Sequence, residues 1–148
     1  MKLMCSAAIA VSAFTFAFAN AQAKPEDSIK YRKAAFVLLG YNFGSLSAMA
    51  QEKVPYNKDA AMKHADAAAA VSRMPYDHFG PGTDKGDTKA KPEIWANMDK
   101  FKDLAAKMQE QTTKLASVAK SGDLAALKAQ VGETGKACKA CHDDYRAK

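Results

Sequence analysis

Cys138-Lys139-Ala140-Cys141-His142 is the stretch of this sequence best equipped for chemistry. Two thiols at this spacing can each add to one vinyl group of a single porphyrin, and the imidazole that follows reaches the iron from the same side. The pattern therefore reads as a covalent haem attachment site with His142 as one axial ligand. With 3 Cys and 3 His in 148 residues, a shuffled chain would produce it roughly once in a thousand. A thioredoxin-like dithiol wants a βαβ setting, and a zinc site wants a second Cys or His pair at ligand spacing; the sequence offers neither. The motif leaves the second axial position of the iron open. A Met, His or Lys there makes a low-spin electron-transfer haem, whereas an apolar residue leaves a place for small gases.

The elements that must position this motif read as helices throughout. Lys24-Pro25-Glu26-Asp27 opens the first, with proline early and acids where the helix dipole favours them. Ile29, Phe36, Phe43 and Ala50, interleaved with Leu39 and Leu46, recur at alternating threes and fours, the spacing of a bundle helix. Arg32 interrupts that stripe, and a guanidinium on a core face beside a haem suggests a propionate partner. Gln51 to Pro55 closes this helix, and Asn57 caps an alanine-rich second helix that runs to about Met74. Its smooth face suits either a bundle core or a dimer interface, and His64 on it is expected to face solvent. Pro75 to Lys91, with Gly80, Pro81, Gly82 and Gly86, has no helical period and is much longer than an ordinary bundle connection, so it is expected to have a job. Phe79 is the residue there best suited to tuck inward, followed by Tyr76, whereas His78 reads as a surface residue.

Pro92-Glu93 starts a third helix whose stripe is Ile94, Met98, Phe101, Ala105, Met108, Thr112, Leu115 and Ala119, with Trp95 off to one flank. Ser121-Gly122-Asp123 ends it and caps a fourth in one tight turn. The fourth stripe is Leu124, Leu127, Val131, Thr134, Cys138, Cys141 and Tyr145, which puts both thiols on the inward face. The fold class is all-α, an antiparallel up-down-up-down four-helix bundle with covalently bound haem. In that topology the end of the fourth helix, the start of the first and the long loop share one end of the molecule. His142 should then face the Ile29 to Phe36 stretch beneath the loop.

Residues 1–23 carry a single charge at Lys2, an apolar run from Ala7 to Ala19, and small residues before Lys24, which together read as a secretory signal peptide. Cleavage is expected before Lys24, with Gln22 as the alternative start. It would remove Cys5 and leave both remaining cysteines in the haem motif. Residues 24–148 then form one exported, periplasmic domain with no membrane-spanning stretch. The formal charge of +6 is dispersed among acids, which argues against nucleic-acid binding but could steer an acidic redox partner.

The methionines that survive cleavage are Met49, Met62, Met74, Met98 and Met108, at the far end of the first helix or on other helices. Lys30 and Lys33 are nearer but normally solvated. Phe36 is the core-facing residue opposite the motif, and a phenyl ring cannot ligate iron. Nor can it move a proton, which argues against peroxidase chemistry.

Lys24-Pro25-Glu26-Asp27, Lys30-Tyr31-Arg32, Phe79-Gly80-Pro81-Gly82-Thr83, Pro92-Glu93-Ile94-Trp95 and Cys138 to Arg146 together resemble the cytochrome c′ family over nearly the whole mature length. The resemblance implies a homodimeric four-helix bundle with one haem c, five-coordinate and high-spin, that binds nitric oxide and carbon monoxide. It also implies that Arg32 and Lys33 lie at the haem edge, that Asp87 in the loop contacts the haem, and that Arg146 lies beside the proximal His142. Many relatives carry Leu where this chain has Phe36, and some carry Gln where it has Lys33. The expected function is gas binding that sequesters nitric oxide, with periplasmic electron transfer as the alternative and no enzyme activity. Haem-site residues are then Cys138, Cys141, His142, Arg32, Lys33, Asp87, Phe79, Phe36 and Arg146.

Overall fold

The computed structural model describes residues 24–148; the expected leader, Cys5 included, lies outside the described residues. Five α-helices follow one another: α1 (Pro25–Ala50), α2 (Lys58–Val71), α3 (Glu93–Ala96), α4 (Met98–Ser121) and α5 (Leu124–Tyr145), with a 3-10 turn at Tyr76–His78. The long ones, α1, α2, α4 and α5, form an antiparallel four-helix bundle. Neighbours around the bundle are α1 with α2, α2 with α4, α4 with α5, and α5 with α1; this last pair is the least closely packed. No helix of the described residues is long and apolar enough to cross a membrane.

Capping explains most of the boundaries. Pro25 occupies the first turn of α1 with Glu26 and Asp27 beside it, and the Asn57 side chain accepts the Ala60 N–H at the start of α2. The Asp123 carboxylate accepts the Ala125 and Ala126 N–H groups at the start of α5. Gly122 ends α4 at φ +77°, a left-handed backbone that selects glycine, while a Cβ there would meet only the movable end of the Lys58 side chain.

Two boundaries differ from the sequence expectation. The second helix stops at Val71, three residues before Met74, because Ser72 caps it and Pro75 follows. The third helix does not run unbroken from Pro92: the chain makes the single turn α3, then Asn97 leaves helical geometry (φ −142°, ψ 63°) and caps α4 by accepting the Lys100 N–H. The apolar period runs through Asn97 undisturbed, so periodicity alone could not reveal the break.

The core is divided along the bundle axis. At one end Leu46, Met49, Ala61, Ala65, Leu115, Ala116, Ala119, Leu127 and Val131 form an aliphatic cluster. Here the α2 alanines are spent on the core, where their size lets α1 and α4 approach. The other end is aromatic, with Phe79, Ile94, Phe101 and Tyr145 buried beneath the loop. Leu39, Ala68 and Met108 lie between the two. On α1 the buried stripe is Ile29, Arg32, Ala35, Leu39, Leu46 and Met49, so Phe36, expected inside it, stands at the edge at 36% exposure.

Replacing fully buried Leu127 by Ala should lower the unfolding free energy by about 2–5 kcal/mol, whereas Asp123→Ala, which removes only a cap, should cost about 1 kcal/mol. Urea denaturation of the cofactor-loaded protein followed by circular dichroism distinguishes these costs; equal losses would mean that the far-end core is not close-packed.

Candidate functional site

A cavity of about 770 Å³ opens between α1 and α5 at the aromatic end of the bundle. Its α1 wall carries Arg32, Lys33, Phe36, Leu39 and Phe43; its α5 wall carries Thr134, Cys138, Cys141, His142 and Tyr145. Tyr76, Phe79, Asp87 and Thr88 of the long loop roof it, and Phe101 and Met108 of α4 close the back. The volume falls in the range of cofactor pockets, about 300–1,000 Å³.

Cys138 and Cys141 lie three residues apart on α5 and are half-buried against this space rather than sealed in the core as the stripe suggested. Burial pushes both thiols up, Cys141 to about 11, with the charges of Cys138 and Asp144 adding to the latter. His142 stands at the cavity mouth. Partial burial of its ring, and then the charge of Arg146, hold it below the ordinary imidazole value, which favours the neutral form that ligates metals. Two thiols and a neutral imidazole on one helical turn, beside a largely aromatic cavity, are a donor set that fits covalent haem.

Among the described residues Arg32 is the most buried charge, at 2% exposure. Its guanidinium donates to His78 O (3.1 Å), Thr83 Oγ1 (2.9 Å), Thr83 O (2.7 Å) and Thr88 Oγ1 (2.8 Å). It also lies 4.3 Å from the centre of the Phe79 ring and 5.6 Å from that of Trp95. Trp95 in turn donates through Nε1 to the Phe79 and Gly80 carbonyls. Gly82, at φ +78°, lets the loop fold back on Pro25. These contacts wrap the loop around one α1 side chain.

The rim has two further ties. Lys33 Nζ donates to the Asp87 carboxylate and, at 3.1 Å, to the Asp87 carbonyl, which holds the Asp87 carboxyl below the usual carboxylate range. At the loop's end a short antiparallel bridge joins Ala90 to Arg146: Lys91 N donates to Tyr145 O at 3.0 Å and Ala147 N to Lys89 O at 2.8 Å. Arg146 itself is exposed and lines the cavity one turn beyond His142.

A profile of the family described as cytochrome c′ matches residues 27–146. The chain belongs to the cytochrome c′ family. It is 45% identical over 126 residues to cytochrome c′ of Rubrivivax gelatinosus, a match covering 84% of this chain and 98% of the relative; the crystal structure of that protein superposes with a TM-score of 0.81. Cytochrome c prime from Shewanella frigidimarina is 41% identical, covering 84% of this chain and 98% of that one, at a TM-score of 0.82. The nitric oxide complex of a cytochrome c prime variant from Alcaligenes xylosoxidans is 38% identical, covering 86% and 98%, at a TM-score of 0.80. The fold is thus the four-helix bundle of cytochrome c′, a family of haem-binding proteins.

Within this cytochrome c′ bundle, all of the residues picked from sequence line the same cavity: Arg32, Lys33, Phe36, Phe79, Asp87, Cys138, Cys141, His142 and Arg146. Three placements depart from expectation. Arg32 spends four N–H donors on the loop, so its Nε is the only nitrogen not already engaged in a hydrogen bond. Lys33 and Asp87 are paired with each other. Met108, expected away from the site, is on the cavity wall, buried beside Leu39 and Ala68. His64 and His78 lie off the cavity, the first bound to Asn42 Oδ1 at 2.9 Å, the second stacked on Tyr31 at 4.0 Å. Sequence reasoning gave no role to Thr83, which it quoted only as the end of the Phe79 to Thr83 motif, and none to Thr88. The only available signal was a buried arginine with no acid at helical spacing, which needs acceptors from elsewhere.

Arg32→Met should release the loop: the Thr83 and Thr88 amides, bonded to the Gly80 and Gly86 carbonyls, should exchange more than about tenfold faster, with a loss of at least about 2 kcal/mol from unsatisfied buried acceptors. Unchanged exchange would mean that the loop holds without the guanidinium. The Lys33–Asp87 tie should show acid sensitivity. Because the Asp87 value is lowered on folding, its contribution is complete above the ordinary carboxylate value of about 4 and disappears as pH falls through the depressed one. An NMR titration of the Asp87 carboxyl should show the lowered value, and Lys33→Gln should restore the ordinary one.

Proposed function

We propose that this chain is a periplasmic haem c protein that binds nitric oxide and carbon monoxide at a five-coordinate, high-spin iron and serves to sequester nitric oxide. In this reading one haem is attached through Cys138 and Cys141 with His142 as its axial ligand. The observation that carries it is the composition of the α1 wall facing α5: Phe36, Leu39, Gly40 and Phe43 have no group able to ligate iron, Arg32 is engaged by the loop, and Lys33 is tied to Asp87. The nitric oxide complex of the Alcaligenes relative supports the choice of ligand. Of the lining residues, Lys33 and Arg32 carry the positive charge that would hold the haem propionates. Arg146 places a positive charge near His142, which disfavours imidazolate character and weakens the proximal bond, so that a gas can displace the histidine.

Binding rather than turnover follows from the same wall, because Phe36 cannot transfer a proton. Export rests on the leader-like residues 1–23. A homodimer is supported by the apolar face that α1 leaves exposed, with Val37 at 70%, Leu38 at 52% and Tyr41 at 69%. The second reading, a periplasmic electron carrier, is favoured by Met108, whose thioether on the cavity wall is a possible sixth ligand.

Visible absorption of the purified protein decides between them. High-spin ferric and ferrous spectra, with a marked change on adding nitric oxide, are expected. A low-spin spectrum that Met108→Leu converts to high-spin would establish the electron carrier instead. Phe36→Ala should speed carbon monoxide association in flow experiments, and an unchanged rate would mean that Phe36 does not cap the iron. Tyr41→Glu should shift the protein from dimer to monomer in sedimentation; a wild-type monomer would dispose of the dimer.

A further inference from the structure

The cavity contains a hydroxyl that its walls do not use. Thr88 Oγ1 bonds to Arg32 and accepts Ala90 N, Thr112 Oγ1 is bonded to Ser72 Oγ and Gln109 O, and Thr134 Oγ1 to Gln130 O. Tyr76 differs. Its ring is held edge-on to Phe36 (6.1 Å between centres, 86°), roughly parallel to Phe79 (6.3 Å, 23°) and tilted on Phe101 (5.6 Å). It packs against both the Phe79 cluster and the Leu39, Ala68 and Met108 cluster, where Cys141 and Cys138 are its fellow neighbours. Three rings and two clusters fix the phenol, yet among the described residues its oxygen has no hydrogen-bond partner. Tyr145, the other phenol on the wall, is on α5 three residues beyond His142 and so belongs to the histidine's side.

Three observations set what the Tyr76 oxygen can reach. The ring lies beside Phe36, on the side where a gas would bind. It lines the same cavity as both thiols and packs against the two clusters that they border. Burial pushes its ionisation above the ordinary phenol value, so the phenol keeps its proton and can only be a donor when it meets a lone pair.

Resting on the gas-binding reading above, we propose that Tyr76 is the specificity residue of the gas-binding side: its hydroxyl donates a hydrogen bond to the outer atom of a diatomic held beside Phe36. Hydrogen-bond donors in a distal pocket select among ligands by the charge those ligands acquire. Nitric oxide binds bent and presents lone pairs at its outer atom, whereas carbon monoxide binds linearly and gains less. Phe36 supplies the opposite effect, bulk that opposes both gases. The pair thus combines a steric barrier with a selective polar contact, in a pocket that composition alone would class as apolar.

The test is Tyr76→Phe, which keeps the ring and its packing while deleting the hydroxyl. A neutral hydrogen bond contributes about 1 kcal/mol, so nitric oxide dissociation from the ferrous holoprotein should become about fivefold faster, with carbon monoxide dissociation changed less. The infrared stretch of the carbon monoxide adduct should move to higher frequency, a signature that a purely structural role would not produce. A thermal melt matching wild type confirms that packing is intact, and Tyr76→Leu, which removes the ring as well, should lower the melt. If wild type binds both gases while Tyr76→Phe leaves the stretch and the ratio of the two dissociation rates unchanged, the assignment fails alone. If wild type binds neither gas, it fails together with the parent reading.

Discussion

A guanidinium at 2% exposure with no carboxylate beside it governs the architecture of the functional end. Desolvating such a group costs several kcal/mol, and burial lowers the Arg32 value accordingly, yet arginine stays charged in proteins. The charge is tolerated because four hydrogen bonds, each contributing about 1.5–3 kcal/mol to a charged donor, converge from His78, Thr83 and Thr88, and because Phe79 and Trp95 offer π faces. All these partners lie on the loop or just after it. Arg32 and the loop are therefore mutually dependent: between the turn at Tyr76–His78 and the bridge at Ala90 the loop has no helix or strand ladder to hold it, and the arginine has no acid beside it.

From this one dependence the site acquires its shape. Anchoring Thr83 and Thr88 to α1 fixes the segment between them, which brings Asp87 within reach of Lys33. Stacking under the guanidinium orients Phe79, whose ring meets Phe101 at 4.8 Å and Phe36 at 6.4 Å. The aromatic roof is consequently built from the loop side and the thiol-bearing wall from the helix side. The bridge from Ala90 to Arg146 ties the two together.

The helices were legible because they rest on local signals. Asn57, Asp123 and Gly122 act where cap chemistry placed them, and all nine residues picked from the motif, the broken stripe and the family resemblance meet at one cavity. What could not be read depends on chain segments distant in sequence. The use of Arg32 as a loop anchor required knowing that Thr83 and Thr88 fold over it, and two threonines in a polar stretch carry no such mark. The break at Asn97 lies within an unbroken apolar period, and its evidence, a single side chain capping Lys100 N, is too brief for periodicity to detect. Met108 was assigned to a stripe correctly, but a stripe has width, and whether its edge meets a neighbour or a cavity is decided by how far α1 and α5 stand apart.

That separation has a consequence for how the chain assembles. The α1–α2 and α4–α5 pairs are made by elements adjacent in the sequence or nearly so, whereas α1 and α5 are its two ends and touch least. Contacts of large sequence separation carry the greatest loop-closure entropy and form slowly. The two hairpins can therefore form early, while the seam holding Cys138, Cys141 and His142 is the last to close. Late closure would leave the two thiols of that turn exposed until the rest of the bundle has formed, so that anything filling the cavity also completes the seam.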